Sequence, residues 1–210
     1  MQNTVTHLST AYLPPVQYFC KLATAEHVLI EKHEHYLKQT FRSRCQILSA
    51  NGVLDLSIPI EKRHGEKMPI GTVRIDYQTE WQRQHWRSLV AAYSSSPFFM
   101  YYADELKIFY TQRYDLLLNF NTQLTRTICE LIGARRSLDF TEKYEHSVPN
   151  DFRMGISPKS LQKIEDNNFS PVEYYQVFSA KFGFTPNLSI VDLLFNEGPD
   201  TLQVLKSSAV

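Results

Sequence analysis

The sequence is poor in cysteine and has no long hydrophobic run. Its three cysteines, Cys20, Cys45 and Cys129, are odd in number and widely spaced. This pattern does not fit a disulfide framework and is typical of free thiols in a reducing compartment. No stretch approaches the roughly 18 consecutive apolar residues of a membrane span, and residues 1–15 lack the features of a signal peptide. We therefore expect a cytoplasmic protein without a membrane span.

The chain also lacks an excess of either charge. It has 22 Lys plus Arg and 22 Asp plus Glu. A balanced chain has no overall field to attract nucleic acid or anionic lipid, so we expect neither partner, and any anion site must be local. Hydrophobic residues make up 43% of the 210 residues. That share excludes general disorder and indicates a globular domain with a real core.

Several common catalytic motifs are absent as well. The sequence has no Gly-x-Gly-x-x-Gly, Walker A, His-Glu-x-x-His or Gly-x-Ser-x-Gly motif. These motifs indicate dinucleotide binding, phosphate binding, zinc proteolysis and serine hydrolysis. The sequence therefore leaves the cofactor unknown, and an active site has to be sought among clusters of polar side chains.

The first part of the chain alternates between strand and helix patterns. Residues 4–10 read as a short strand, residues 16–23 have apolar side chains at helical spacing, and an apolar β-branched run begins at His27. This order predicts a βαβ unit with parallel strands. Residues 45–60 follow as a hairpin around an Asn-Gly turn, and residues 73–77 alternate as a further strand.

The second part is mainly helical. A helix is expected after Thr79, a plausible N-cap, and apolar spacing predicts three helices in all, over residues 81–93, 98–110 and 116–132. Residues 138–141 read as a last strand. A polar segment, residues 144–171, has no periodicity and is either functional or mobile. A short helix over residues 186–195 follows it.

Together these patterns predict an α/β fold in one domain over residues 1–210. A mixed sheet forms from residues 1–78 and is covered by helices from the C-terminal half. The helical part spans residues 79–135, and residues 136–210 are loop-rich. Residues 61–69 are charged and aperiodic, so they are either a lid over an anion or a solvated connector.

A charged stretch, residues 33–44, follows the second predicted strand. If the strand from His27 continues through Tyr36, His33 and His35 point to the same side, because side chains alternate along a strand. An imidazole there could move a proton near neutral pH, since its unperturbed pKa is about 6.5. His35 is therefore a candidate general base. A solvated edge strand is the alternative, because charges at an edge discourage aggregation.

Three cations occur in the same stretch: Lys38, Arg42 and Arg44. Ligands of parallel sheets bind at the carboxyl ends of the strands, so these cations are placed to hold phosphate or carboxylate. The proline loop after the first strand reaches the same edge and would bring Tyr12 to the ligand. The candidate substrate-binding residues of this region are therefore Tyr12, His33, Lys38, Arg42 and Arg44.

Three further candidates lie in the second part of the chain. His85 shares a helical face with Trp81 and Leu89. It is either a second candidate base or a hydrogen-bonded core residue. Asn187 and Asp192 lie at the last predicted helix and are candidate substrate-binding residues.

Short motifs along nearly the whole chain follow the order found in one bacterial family. They are Ala11-Tyr12-Leu13-Pro14, Tyr18-Phe19, His35-Tyr36, Leu56-Ser57-Ile58-Pro59, Trp81 with His85-Trp86, Tyr93 with Pro97-Phe98, and the ending over residues 186–199. The chain thus resembles the WbqC-like family. Thr10-Ala11 stands where that family has Gln-Pro. The resemblance implies a link to surface-polysaccharide (O-antigen type) gene clusters and the modification of nucleotide-linked amino sugars.

The resemblance and the charged stretch together predict a cytoplasmic transferase that adds an acyl or aminoacyl group to a nucleotide-linked amino sugar. Lys38 and Arg44 would hold the phosphates, His35 or His85 would deprotonate the amine, and Tyr12 would orient the sugar. One alternative is a non-catalytic binding protein of a glycan-assembly complex, docked through aromatic side chains. Another is a metal-dependent hydrolase using the His-x-His pair. No metal site is predicted, because zinc usually takes three or four ligands and no further Cys or His lies nearby in sequence.

Overall fold

Five strands and seven α-helices make up the part of the chain that the computed structural model describes, which is residues 5–61, 67–134, 137–158 and 166–210. The strands are β1 (Val5–Ser9), β2 (His27–Glu31), β3 (Arg44–Ser49), β4 (Gly52–Ser57) and β5 (Leu138–Phe140). The helices are α1 (Val16–Thr24), α2 (Trp81–Tyr93), α3 (Phe99–Lys107), α4 (Leu117–Leu131), α5 (Ser179–Phe182), α6 (Ile190–Glu197) and α7 (Thr201–Ser207). None of these helices is long and apolar enough to cross a membrane.

The predicted βαβ unit is confirmed. β1 and β2 pair in parallel on either side of the α1 connection, and β5 pairs in parallel with the other edge of β2. Leu8, Val28 and Ile30 alternate with less buried neighbours and enter the core, as strands with one core-facing side require. Because all three strands run the same way, their carboxyl ends lie side by side at one edge of the sheet.

β2 is shorter than expected and ends at Glu31 rather than at Tyr36. The Glu31 carboxylate accepts a hydrogen bond from the backbone N–H of His33 at 2.7 Å. A side chain that bonds to the backbone two residues later offers the chain an alternative to the sheet ladder. His33 and His35 therefore follow the strand instead of belonging to it.

β3 and β4 form the predicted hairpin as a separate two-stranded antiparallel sheet. The second arm ends at Ser57, and Ile60 makes only a single bridge to Ile75. The predicted strand over residues 73–77 is wrong. Arg74 bridges to Leu116 while Ile75 bridges to Ile60, so neighbouring residues pair with different segments and no continuous ladder forms.

The three central helices lie close to their predicted positions. α2 begins at Trp81 with Glu80 at its N-cap position and no side-chain cap, so Thr79 does not cap it. α3 continues into a short 3-10 turn over Ile108–Tyr110. α4 is followed by Gly133 with a φ of 72°, the left-handed conformation that favours glycine after a helix. With the 3-10 turn, these helices supply Trp81, Tyr93, Phe99, Phe109, Tyr110 and Phe120 to the aromatic core.

Candidate functional site

A network of buried charges lies at the carboxyl end of the parallel sheet. Glu31, 0% exposed at the end of β2, accepts a hydrogen bond from Arg153 Nη1 at 2.9 Å. Glu34 forms a second buried ion pair with Arg42, whose Nε donates to Glu34 Oε1 at 2.8 Å. Ser9, the last residue of β1, joins the two pairs, because its hydroxyl accepts from Arg42 Nη2 at 2.7 Å and donates to the Arg153 carbonyl at 2.8 Å. Buried charges require such partners.

Arg42 is committed to this network and does not line an open site. Its side chain is 3% exposed, and its guanidinium is shared between Glu34 and Ser9. Burial raises the pKa of Glu34, and the hydrogen bonds from Arg42 and Ser9 oppose that effect. The sequence places Arg42 among surface cations because nothing in residue type reveals its buried partner.

An open cleft of about 570 Å³ lies beside the network, at the carboxyl ends of β2 and β5. We call it the sheet-end cleft. Residues 33–37, which follow β2, form one side, and Tyr144, His146 and Met154 form the other. Lys67 also lines it. Three histidines, one lysine and two tyrosines thus line a space at the sheet edge where α/β proteins commonly bind ligands.

The His33 side chain lines the cleft and is held by a hydrogen bond. Its Nε2 lies 3.1 Å from the carbonyl oxygen of Thr141, the residue after β5. A carbonyl oxygen can only accept, so Nε2 carries a proton and the neutral ring has its lone pair on Nδ1. The Thr141 hydroxyl in turn donates to Glu31 at 2.8 Å, which ties the imidazole to the buried network. The contact with Thr141 fixes the orientation of the His33 ring.

His35 lines the same cleft, although β2 ends before both histidines. Pairing with residues 68–70 holds this segment: Tyr36 donates its backbone N–H to Met68 at 2.8 Å, and Ile70 donates to Glu34 at 2.8 Å. The candidate lid over residues 61–69 falls largely on positions outside the described residues. Its described end contributes Lys67 to the cleft.

Two predicted phosphate-binding cations do not line the cleft. Lys38 is exposed beyond its rim. Arg44 is the first residue of β3 and pairs across the hairpin with Asp55 at 3.4 Å and with Ser57 Oγ at 3.2 Å. Exposed pairs of this kind contribute little to stability.

Tyr12 and His85 lie in the core. The Tyr12 hydroxyl is 2.9 Å from His85 Nδ1 and 2.9 Å from the Tyr110 hydroxyl. The His85 ring packs edge-on against Trp81 at 5.1 Å between centroids. Burial lowers the pKa of His85 to about 4, so the ring is neutral at pH 7. The geometry matches the core alternative, and we assign neither residue a role at the cleft.

Asn187 and Asp192 hold the C-terminal part of the chain in place. Asn187, with a φ of 58°, accepts a hydrogen bond from the backbone N–H of Gln17 at 2.9 Å and so fastens the start of α1. Asp192 is 1% exposed and accepts hydrogen bonds from the hydroxyls of Tyr93 and Tyr174, each at 2.9 Å. Both side chains are thus used within the fold and lie apart from the cleft lining.

Asp192→Asn is expected to weaken the pH dependence of stability between pH 5 and 7 by about 1 kcal/mol. Burial raises the pKa of Asp192 to about 6, against the opposing hydrogen bonds of Tyr174, Tyr93 and Gln176. The folded chain therefore binds this proton more tightly than the unfolded chain, and stability rises as the pH falls through 6. Urea unfolding of both proteins at pH 5 and 7 measures the effect; identical pH dependence would contradict it.

Sequence patterns give no role to Arg153, Tyr144 or His146, because they lie in an aperiodic segment. The structure pairs residues 150–152 of this segment with β1. His7 accepts from the backbone N–H of Phe152 at 2.9 Å and donates its own to the carbonyl of Asn150 at 3.0 Å. In the sequence, the signal that points to residues 144–171 is the length and polarity of the segment and its lack of periodicity.

The thiols and the potential metal ligands add no further site. All three cysteines are free and buried, and burial raises the pKa of Cys20 and of Cys129 to about 12 and that of Cys45 as well. A thiolate nucleophile is therefore disfavoured at each position. Within residues 5–61, 67–134, 137–158 and 166–210, no three His, Cys, Asp or Glu side chains are grouped so that they could hold a metal ion.

Comparison with known proteins points to one family. The model of the WbqC-like protein family matches residues 10–163 and 162–204. The uncharacterized protein Rv1507c of Mycobacterium tuberculosis is 25% identical over 228 aligned residues, which cover 96% of this chain and 97% of that protein. No solved structure matches the chain. Because the family model covers well over half of its length, the chain belongs to the WbqC-like protein family.

Proposed function

We propose that the chain is a cytoplasmic transferase that adds an acyl or aminoacyl group to a nucleotide-linked amino sugar, with the sheet-end cleft as its active site. One observation carries the proposal: His33 Nε2 is held by the Thr141 carbonyl at 3.1 Å, which leaves an oriented base in an open cleft. Family membership agrees with a role in surface-polysaccharide biosynthesis. The balanced charge and the free thiols agree with the cytoplasm.

In this proposal His33 accepts a proton from the sugar amine as the amine nitrogen attacks the acyl carbon. A nitrogen–carbon bond forms, the bond between the acyl carbon and its leaving group breaks, and His33 returns the proton to the departing group. General base catalysis of this kind contributes roughly 10²- to 10⁴-fold to a rate. The amine reacts only in its neutral form, so a base beside it matters near neutral pH.

The other cleft residues suit the remaining parts of such a substrate. His35, His146 and Lys67 are the groups that can carry positive charge toward a diphosphate. Tyr144 offers a flat apolar face with a polar tip, which fits a sugar or base ring. A nucleotide sugar has the same combination of anionic and ring-shaped parts. The cleft volume of about 570 Å³ lies in the range of small-molecule sites.

UDP-glucosamine is expected to stabilise the protein against heating, whereas a nucleotide-free amino sugar is not. A ligand at a hundredfold excess over its Kd adds about 2.7 kcal/mol to the free energy of unfolding. For a chain of this size that shift is roughly 5–10 °C in Tm. A thermal-shift series with nucleotide sugars, acyl-coenzyme A species and divalent metals measures it.

The matched variants for this test are His33→Ala and His27→Ala. His27 is an exposed histidine at the opposite end of β2. We expect His33→Ala to keep the nucleotide-sugar shift but to lower acyl transfer by about 10²-fold, and His27→Ala to behave as the wild type. The proposal would be refuted if no nucleotide sugar shifted the Tm, or if His33→Ala transferred the acyl group as fast as the wild type.

The alternative function is that of a non-catalytic binding protein in a glycan-assembly complex. The observation that favours it is a group of exposed apolar side chains at α3, where Met100 is 83% and Tyr101 is 72% exposed. Exposed aromatic and Met side chains are typical of docking surfaces. A partner that stays bound through purification, from a protein that binds none of the small molecules above, would favour this function.

A further inference from the structure

The Arg153 guanidinium joins three separate segments beside the sheet-end cleft. Its Nη1 donates to Glu31 at the end of β2, at 2.9 Å. Its Nε and Nη2 donate to the two carboxylate oxygens of Asp151, at 2.9 and 2.6 Å. Nη2 also donates to the carbonyl oxygen of Glu145 at 2.7 Å. One side chain thus connects β2, the segment beside β1 and the loop after β5.

The loop after β5 contributes Tyr144 and His146 to the lining of the cleft, and we call this part of the lining the wall. The ring of Tyr144 lies over the Arg153 guanidinium, 4.8 Å from its Cζ. His146 packs edge-on against Tyr144 at 5.1 Å between ring centroids. Arg153 therefore holds this wall in two ways, by the hydrogen bond to the backbone of Glu145 and by contact with the Tyr144 ring.

We propose that Arg153 is the positioning residue of the sheet-end cleft: it sets the place of Tyr144 and His146 relative to His33, and thereby selects a ligand whose ring fits between them. The ligand class in this statement rests on the proposed function; the positioning does not. A flat guanidinium reaches four acceptors at fixed angles, whereas an ammonium group is a point charge without that geometry. Lysine has the same charge as arginine, so a role that depended on charge alone would be kept in Arg153→Lys.

The test compares Arg153→Lys with Arg126→Lys. Arg126 is an exposed arginine of α4 that donates to the carbonyl oxygen of Leu138 at 3.0 Å, so it undergoes the same change away from the cleft. Hydrogen–deuterium exchange over residues 142–147 is measured well below the Tm of each protein. We expect Arg153→Lys to speed exchange there by roughly five- to tenfold, and Arg126→Lys to leave it unchanged.

The second readout is the Kd for UDP-glucosamine by calorimetry. We expect Arg153→Lys to raise it by roughly ten- to a hundredfold, since small displacements of binding groups have effects of that size. If Arg153→Lys does not fold, Tyr144→Leu replaces it. That variant removes a half-exposed ring and should raise the Kd by roughly tenfold while leaving Tm within a few degrees.

The outcomes separate the two proposals. Unchanged exchange over residues 142–147 in Arg153→Lys overturns the positioning role. Faster exchange that extends through β1 and β2 also overturns it, because Arg153 would then hold the sheet as a whole. If exchange over residues 142–147 becomes faster but the Kd for UDP-glucosamine is unchanged, Arg153 does not select the ring of the ligand. If the wild type binds no nucleotide sugar, the proposed function fails, and the exchange measurement still decides whether Arg153 positions the wall.

Discussion

Arg42→Met is expected to lower the free energy of unfolding by about 3–5 kcal/mol at pH 7. The substitution leaves the Glu34 carboxylate buried without its cation. Among the described residues its remaining side-chain partner is then the Ser9 hydroxyl, whose one proton is shared with the Arg153 carbonyl oxygen. Methionine fills much of the volume of the arginine stem, so the loss comes from the unpaired charge rather than from a cavity. Urea unfolding followed by circular dichroism measures the difference.

The double variant Arg42→Met/Glu34→Leu is the control. Replacing a buried ion pair by apolar side chains of similar size is often neutral or stabilising, so we expect most of the lost stability to return. Lowering the pH to 5 should also restore part of it in Arg42→Met, because burial raises the pKa of Glu34 and a protonated carboxyl is far easier to bury. A double variant as unstable as Arg42→Met would show that the unpaired carboxylate is not the cause.

Gly198→Ala is expected to lower the free energy of unfolding by about 2–4 kcal/mol. Gly198 follows α6 with a φ of 52°, a left-handed conformation that is unfavourable for alanine. A methyl group there would also lie 2.5 Å from Cγ and Cδ1 of Phe98. The Phe98 backbone N–H donates to the carbonyl oxygen of Phe195 at 3.0 Å, which holds the Phe98 backbone in place, so the ring has to rotate to relieve the contact.

Gly133→Ala separates the two causes. Gly133 has a φ of 72°, and in the described part of the chain no residue beyond its chain neighbours has an atom within 4 Å of the position that its Cβ would occupy. Alanine there meets only the backbone penalty, and we expect a loss of about 1 kcal/mol. Thermal and urea unfolding of both variants measure the difference. Equal losses at the two positions would mean that the contact with Phe98 adds nothing.

The sequence predicts the βαβ unit and the three central helices well because their signals are local. Periodicity over residues 16–23 or 81–93 is a property of the segment itself. The end of β2 is different. It depends on the Glu31 carboxylate bonding to His33 and on Thr141, 110 positions away, donating to the same carboxylate. No window of neighbouring residues contains that information.

For the candidate site, too, local signals are visible in the sequence and long-range contacts are not. A dense group of titratable residues after a strand was enough to find His33 and His35, which the structure places in one cleft. Residue type alone did not separate them from Arg42, which looks equally available in sequence but has a buried acid as its partner. The sequence gives no signal for Arg153, because its partner Glu31 lies 122 positions away and its other acceptors, Asp151 and Glu145, lie in the same aperiodic segment.

The long reach of the Glu31–Arg153 pair has a consequence for the order of events during protein synthesis. The two residues are 122 positions apart. At roughly 5–20 residues per second, the ribosome releases β2 about 6 to 24 s before Arg153. During that interval the Glu31 carboxylate has no cation, and an unpaired carboxylate stays hydrated rather than buried. The nascent βαβ unit therefore keeps a hydrated edge, and the sheet-end cleft is among the last parts of the molecule to form.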